Sequence, residues 1–265
     1  MANAPYPIIA LWSHPRSMST ATERIMRERG DLDCAHEPFM YEYYVGRQAG
    51  QTPHFDVQPG HPTCYEDIRA MLLKRADAGP VFFKDMSYYV MPRLLEDTAF
   101  LERLTHAFLI RYPEAAIASY HKLDAQVSEE EIGIAAQWQH YQGLVARGLT
   151  PPVLRAEDIR NDPKGMMAAF WAAVDLPYTA QAFDWAGDVP EDWAQVEAWH
   201  GSVTDSRAIR PLPEDYHEAA QARFDAAAAK APQLREYLAT HRPAYEALSA
   251  LALDPLKRPG GCLML

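Results

Sequence analysis

Apolar residues in this chain gather into short runs, with stretches of three-to-four spacing between them. The runs Ile8–Trp12, Val81–Phe83, Ala107–Ile110 and Val153–Leu154 are compact and bounded by polar or turn residues, a pattern that predicts strands covered on both faces. A weaker run, Leu32–Ala35, predicts one more strand. The helix expected over Ser19–Arg29 has Met18, Thr22, Ile25 and Met26 along one stripe and stops at Gly30, where glycine suits a helix end. Further helices are expected over Ser128–Arg147, Pro163–Val174, Glu214–Ala231 and Pro232–Leu251. Strands alternating with helices predict an α/β fold with a central parallel sheet flanked by helices. Segment 51–63 holds three prolines and a glycine and reads as a loop long enough to cover a site. No repeat or linker divides the chain, so residues 1–265 are expected to form a single domain, with 179–265 its helical C-terminal part.

Composition narrows the possibilities. With 265 residues and 48% hydrophobic content, the chain can bury one substantial core. No run approaches the roughly 18–20 uncharged apolar residues of a membrane helix, and the first residues lack a secretion-signal layout, so the expected location is cytoplasmic. Cys34, Cys64 and Cys262 are odd in number and lack C-x-x-C spacing, which suggests reduced thiols and no zinc site. Cys262-Leu263-Met264-Leu265 formally fits a prenylation box, but only Lys257 and Arg258 supply upstream charge. A net charge of −11 opposes general affinity for nucleic acid or an anionic membrane. Any anionic ligand must therefore be held by local positive groups, and the expected partners are small molecules. No oligomeric state is indicated.

The local positive groups lie in two places. Ser13–Thr20 (SHPRSMST) joins the first strand to the first helix, where open backbone N–H groups and the helix dipole favour a phosphate or sulfate. It lacks the Gly-Lys-[Ser/Thr] ending of a nucleotide-binding loop with magnesium; Arg16 and the hydroxyls of Ser17, Ser19 and Thr20 instead suit an oxyanion. The competing reading is that Ser17 or Ser19 merely caps the helix. The second place is RYPEAAIASYHK, in which Arg111 ends a strand, Pro113 opens a helix and Ser119 follows within two turns. Two anion cups at the carboxyl ends of parallel strands face one crevice, which predicts a ligand with two separated anionic groups.

These segments resemble the sulfotransferase family. SHPRSMST is similar to its 5′-phosphosulfate loop, and Arg111 with Ser119 to its R-x-P-x-x-x-x-x-S 3′-phosphate motif. A third segment, Arg155–Tyr178, resembles the family's strand-ED-[LI]-x-x-D-P-helix-L-P-Y stretch. The resemblance implies a P-loop sulfotransferase-like fold. It also implies transfer of a sulfuryl group from 3′-phosphoadenosine 5′-phosphosulfate to a hydroxyl or amine of a small-molecule acceptor, without a metal. His14, Pro15, Arg16, Ser17, Met18, Ser19 and Thr20 would hold the 5′ end of the donor, and Arg111 and Ser119 the 3′-phosphate. The polar cluster Trp199–Arg207 resembles a late segment that contacts nucleotide in some relatives, which adds Ser206 and Arg207.

The chain departs from the common family loop at two positions, with arginine at 16 where lysine is usual and methionine at 18 where glycine is usual. Arg16 can neutralise the leaving phosphate but cannot donate its proton. Members that use a histidine base carry it after the third strand, where this chain has Phe83-Lys84-Asp85-Met86. The first choice for the base is Glu37, in a His36-Glu37-Pro38-Phe39 stretch resembling the Glu-Pro of carbohydrate and small-molecule sulfotransferases. His36 and His14 come second. Lys84 and Asp85 come third, with Lys84 adding charge near the sulfuryl group or the two pairing in a solvated salt bridge at a strand end. Acceptor contacts are expected from Tyr41–Tyr44 and the 51–63 loop. The rival functions are an ATP-dependent kinase, for which Asp85 is the one hint of a magnesium ligand, and a non-catalytic nucleotide-binding protein. A pyridoxal-phosphate enzyme would need a Schiff-base lysine with a partner acid, which nothing marks.

Overall fold

The structure, a computed structural model, describes residues 5–185, 189–200 and 206–255. Five parallel strands, β1 (Ile8–Ser13), β2 (Asp33–His36), β3 (Val81–Met86), β4 (Leu104–Ile110) and β5 (Val153–Arg155), form one sheet in the order β2-β3-β1-β4-β5. Every residue of β1 is fully buried, as expected of a central strand covered on both faces. Its side chains alternate between two cores. Ile8, Ala10 and Trp12 join the cluster under α2 (Tyr65–Arg75), while Ile9 and Leu11 join the one under α1 (Ser19–Glu28).

Six more helices matter to the site: α3 (Pro113–Leu123), α4 (Glu129–Ile132), α5 (Ile134–Val145), α6 (Pro163–Ala173), α7 (Tyr216–Lys230) and α8 (Gln233–Ser249). The helix expected over Ser128–Arg147 is two. Ser128 and Glu131 form a capping box at the start of α4, and Gly133, at φ 79°, takes a left-handed turn that ends α4 and starts α5. That turn directs Gln137 at the sheet, where its amide donates to the carbonyls of Trp12 and Leu109, both at 3.0 Å. The β1–β4 ladder ends at Trp12↔Phe108, so the carboxyl ends of these neighbours open into a crevice.

Strand β3 runs three residues beyond its apolar run because Lys84 and Asp85 are buried with partners, and β2 sits one residue later than its apolar pattern. In the β2–β3 register His36 lies opposite Lys84, which puts Glu37 at the crevice. Among the described residues no helix is long and apolar enough to cross a membrane. Cys262 and its neighbours, with Gly201–Asp205 of the Trp199–Arg207 cluster, lie outside the described residues.

Candidate active site

The loop after β1 takes a conformation that methionine and arginine rarely adopt. Arg16 has φ 63° and Met18 φ 74°, a left-handed geometry glycine takes without strain and other residues adopt at a cost of roughly 1–2 kcal/mol. Met18 occupies the N-cap of α1 and no side chain caps this helix, so neither Ser17 nor Ser19 performs the capping role. Pro15, Arg16, Met18, Ser19 and Thr20 line a cavity of about 220 Å³, while Ser17 is fully buried and its Oγ has no partner among the described residues. An oxyanion at this helix start would meet open N–H groups and hydroxyls.

His14 does not face that cavity. Its ring is buried, with Nδ1 3.0 Å from the Pro15 carbonyl and Nε2 accepting from the Arg111 backbone N–H at 3.1 Å. Burial, with Arg111 and His241 adding to it, brings its pKa down to about 3 despite the Pro15 bond, so the neutral ring acts as a strut between the loop and the end of β4.

The strut places Arg111 against the loop. Arg111 Nη1 donates to the Arg16 carbonyl at 2.8 Å and Nε to the Tyr216 hydroxyl at 3.1 Å. Tyr216 in turn donates to Glu157 at 2.8 Å, and Glu157 also accepts from the Tyr112 N–H at 3.1 Å. The glutamate of the third motif thus serves the second, since Glu157 fixes the tyrosine that orients Arg111. Arg16 itself turns toward the 3′-phosphate motif: Nε donates to Ser119 Oγ at 3.0 Å and Nη1 to the Trp199 carbonyl. Burial and the neighbouring Arg111 lower its pKa to about 10, which leaves it charged at neutral pH. Arg16 and Arg111, expected at separate ends of a ligand, are joined through the Arg16 carbonyl, and both line the cavity.

Opposite them, Lys84 is 1% exposed and its Nζ donates to Glu37 Oε1, so the solvated salt bridge considered for Lys84 is instead a buried pair with Glu37. Glu37 has φ 45° and its N–H bonds the Lys84 carbonyl at 3.1 Å. Asp85 holds that turn from behind, accepting from the Phe39 N–H at 2.7 Å and the Met86 N–H at 3.0 Å. Its full burial, then Glu37, push its pKa well above the carboxylate range. The one carboxylate that favoured a kinase is therefore engaged within the fold.

Part of the cavity wall is aromatic. Tyr44, Tyr89, Tyr120 and Trp199 line it, Trp199 packing edge-on to Tyr120 at 5.2 Å and donating to the Pro53 carbonyl at 2.8 Å. From the expected acceptor segments, Tyr44 and Thr52 reach the wall, while Tyr41 anchors the loop by stacking on His61 at 3.6 Å. Ser206 lines an adjoining cavity of about 300 Å³ with Met18, Arg111, Arg160, Trp185 and Arg210, whereas Arg207 is exposed and lines no described cavity. Ser119 lines another, of about 620 Å³, which also reaches Arg111. Sequence reasoning missed Tyr120, Tyr216 and Arg210. Arg210, three residues past Arg207, was discernible as a second cation of that segment; the tyrosines carried no signal.

Comparison with known proteins bears on the family and the fold. Residues 7–232 match the profile of the family described as Sulfotransferase domain. The chain is 24% identical over 213 residues to the branched-chain-amino-acid aminotransferase-like protein 2 of Arabidopsis thaliana, covering 79% of this chain and 37% of that one, so it spans little more than a third of that relative. The fold matches the sulfotransferase domain of the Synechococcus PCC 7002 olefin synthase with a TM-score of 0.55 at 16% identity, covering 85% of this chain and 94% of that one. It also matches the sulfotransferase domain from the curacin biosynthetic pathway, with a TM-score of 0.51 at 14% identity over 86% and 98% of the two chains.

Proposed function

This chain belongs to the sulfotransferase domain family, and on that premise we propose that it transfers a sulfuryl group from 3′-phosphoadenosine 5′-phosphosulfate to a hydroxyl, or an amine, of a small-molecule acceptor. The observation that supports this most is the contact between Arg111 and the Arg16 carbonyl, which joins two cationic cups at the carboxyl ends of adjacent strands in a cavity shared with Glu37 and Lys84. The donor suits the set present: an uncapped helix start and Arg16 for its 5′ end, Arg111 for its 3′-phosphate.

In this reading the donor supplies an activated sulfur that needs little covalent help. The protein contributes alignment and charge. Arg16 and Lys84 neutralise oxygens around the transferred group, and Glu37 takes the acceptor's proton. The aromatic lining and the modest cavity volume support a small, largely apolar acceptor. Incubating the protein with labelled donor and a panel of alcohols, phenols and amines tests the reaction. Glu37→Gln should lower turnover by roughly 10² or more while leaving adenosine 3′,5′-bisphosphate binding intact. In thermal shift, the bisphosphate at 100 times its Kd should stabilise the protein by about 2.7 kcal/mol; a preference for ATP with magnesium would replace this reading with a kinase.

A further inference from the structure

Behind Glu37 lies a carboxylate–imidazole pair that sulfuryl transfer, as described so far, leaves without a task. Glu23, on α1, has no exposed surface. Its Oε1 accepts from Arg27 Nε at 2.7 Å and Trp193 Nε1 at 2.9 Å, and its Oε2 lies 2.6 Å from His36 Nδ1. Burial alone would raise this carboxyl, but His36, Arg27 and Lys84 together hold it well below the usual range, so it is an anion. With Nδ1–H committed to Glu23, a neutral His36 keeps a basic lone pair on Nε2. That nitrogen is 4.0 Å from Glu37 Oε1 and 3.4 Å from His200 Nε2. His200, on the cavity wall, is kept neutral by burial and then by His36 and Lys84, its pKa falling to about 2, and its Nε2 accepts a new N–H on His36 when its own proton sits on Nδ1.

Charge explains why a proton would move on from Glu37. A proton resting on Glu37 would leave the buried Lys84 ammonium without its counter-charge, an arrangement low-dielectric interiors penalise. Two carboxylates face His36, Glu23 at 2.6 Å from Nδ1 and Glu37 at 4.0 Å from Nε2, each with its own cation, Arg27 and Lys84. A proton on His36 sits between those two carboxylates.

We propose, resting on the reading of Glu37 as base, that Glu23 and His36 form the proton-accepting pair behind it. The acceptor's O–H bond breaks as its oxygen bonds sulfur, and the bond from sulfur to the leaving phosphate oxygen breaks with its electron pair going to phosphate. The proton passes to Glu37 and on to His36 Nε2, directly after a side-chain rotation or through one water. Glu37 is again an anion beside Lys84, and imidazolium His36 faces Glu23. His36 is thus a positioning residue, acting through Glu37.

The test begins with the wild-type protein saturated with adenosine 3′,5′-bisphosphate and labelled with 15N-histidine. The His36 ring should carry its proton on Nδ1 in a short bond, seen as a far-downfield proton resonance coupled to that nitrogen, and Glu23→Gln should move the resonance upfield. A ring with no proton on Nδ1 overturns the proposal. With the best acceptor from the panel, His36→Gln should lower kcat tenfold or more and leave the donor KM within threefold. Wild-type kcat overturns it equally. If Glu37→Gln is fully active, the base reading fails as well; if Glu37→Gln is inactive and His36→Gln is not, only the pair is removed.

Discussion

Replacing Arg111 with methionine separates the two ends of the proposed donor site. A guanidinium carries five N–H donors; here Nε serves Tyr216 and one Nη1 hydrogen serves the Arg16 carbonyl, so three remain without an acceptor among the described residues, at the meeting point of the cavities. If two of the three bind the 3′-phosphate, each charge-assisted bond is worth about 1.5–3 kcal/mol, and their loss costs at least about 3 kcal/mol, or on the order of 10² in Kd. Methionine also removes the brace on the Arg16 carbonyl, which affects the 5′ end. That part is common to adenosine 3′,5′-bisphosphate and to adenosine 5′-monophosphate, which lacks the 3′-phosphate. Calorimetric titration of both nucleotides into both proteins therefore isolates the 3′ contribution: Arg111→Met should weaken the bisphosphate about 10²-fold and the monophosphate by only a small factor. Equal weakening would refute the phosphate assignment and reduce Arg111 to a prop for the loop.

His106 accepts from Trp12 Nε1 at 2.9 Å through Nδ1 and lies 3.1 Å from the Leu101 carbonyl through Nε2, and burial lowers its pKa to about 4 even though the Leu101 bond opposes this. Its folded value lies below the unfolded value near 6.5, so its share of stability is complete above pH 6.5 and drains away as pH falls toward 4; between pH 7.5 and 5.5 it is about 1.4 kcal/mol. In urea unfolding His106→Gln should lose that much less over the same interval, and an unchanged pH dependence would contradict the assignment. Gly133→Ala should cost about 1–2 kcal/mol for φ 79° alone, plus the contact of its new Cβ with the Tyr88 ring at 3.1 Å. Gly148→Ala, at φ 83° with nothing within 4 Å, carries only the backbone part, so equal thermal shifts in the two variants would rule out a role for Tyr88 packing.

Much of the site was legible because its parts are contiguous in sequence. Ser13–Thr20 follows a buried strand and opens a helix, and Arg111 stands between a strand end and Pro113; both features depend only on local periodicity and turn chemistry. Gly133 was less legible, since a single glycine inside a helical pattern is normally tolerated and only its φ and the nearby capping box make it a break.

What the sequence determined by itself was the set of strands, the parallel sheet and the identity of two cationic loops, because burial of alternating or continuous apolar runs is a property of neighbouring residues. The tertiary structure alone decided who pairs with whom. Arg16 reaches Ser119 across 103 positions, Lys84 meets Glu37 across 47, and Glu23 grips His36 from another element. Each pairing follows from the strand order β2-β3-β1-β4-β5 and its register, which bring residues from separate loops to one sheet edge. Buried charges must find partners or remain costly, so once the hydrophobic layers had fixed that edge, the pairings on it were set by distance rather than by sequence.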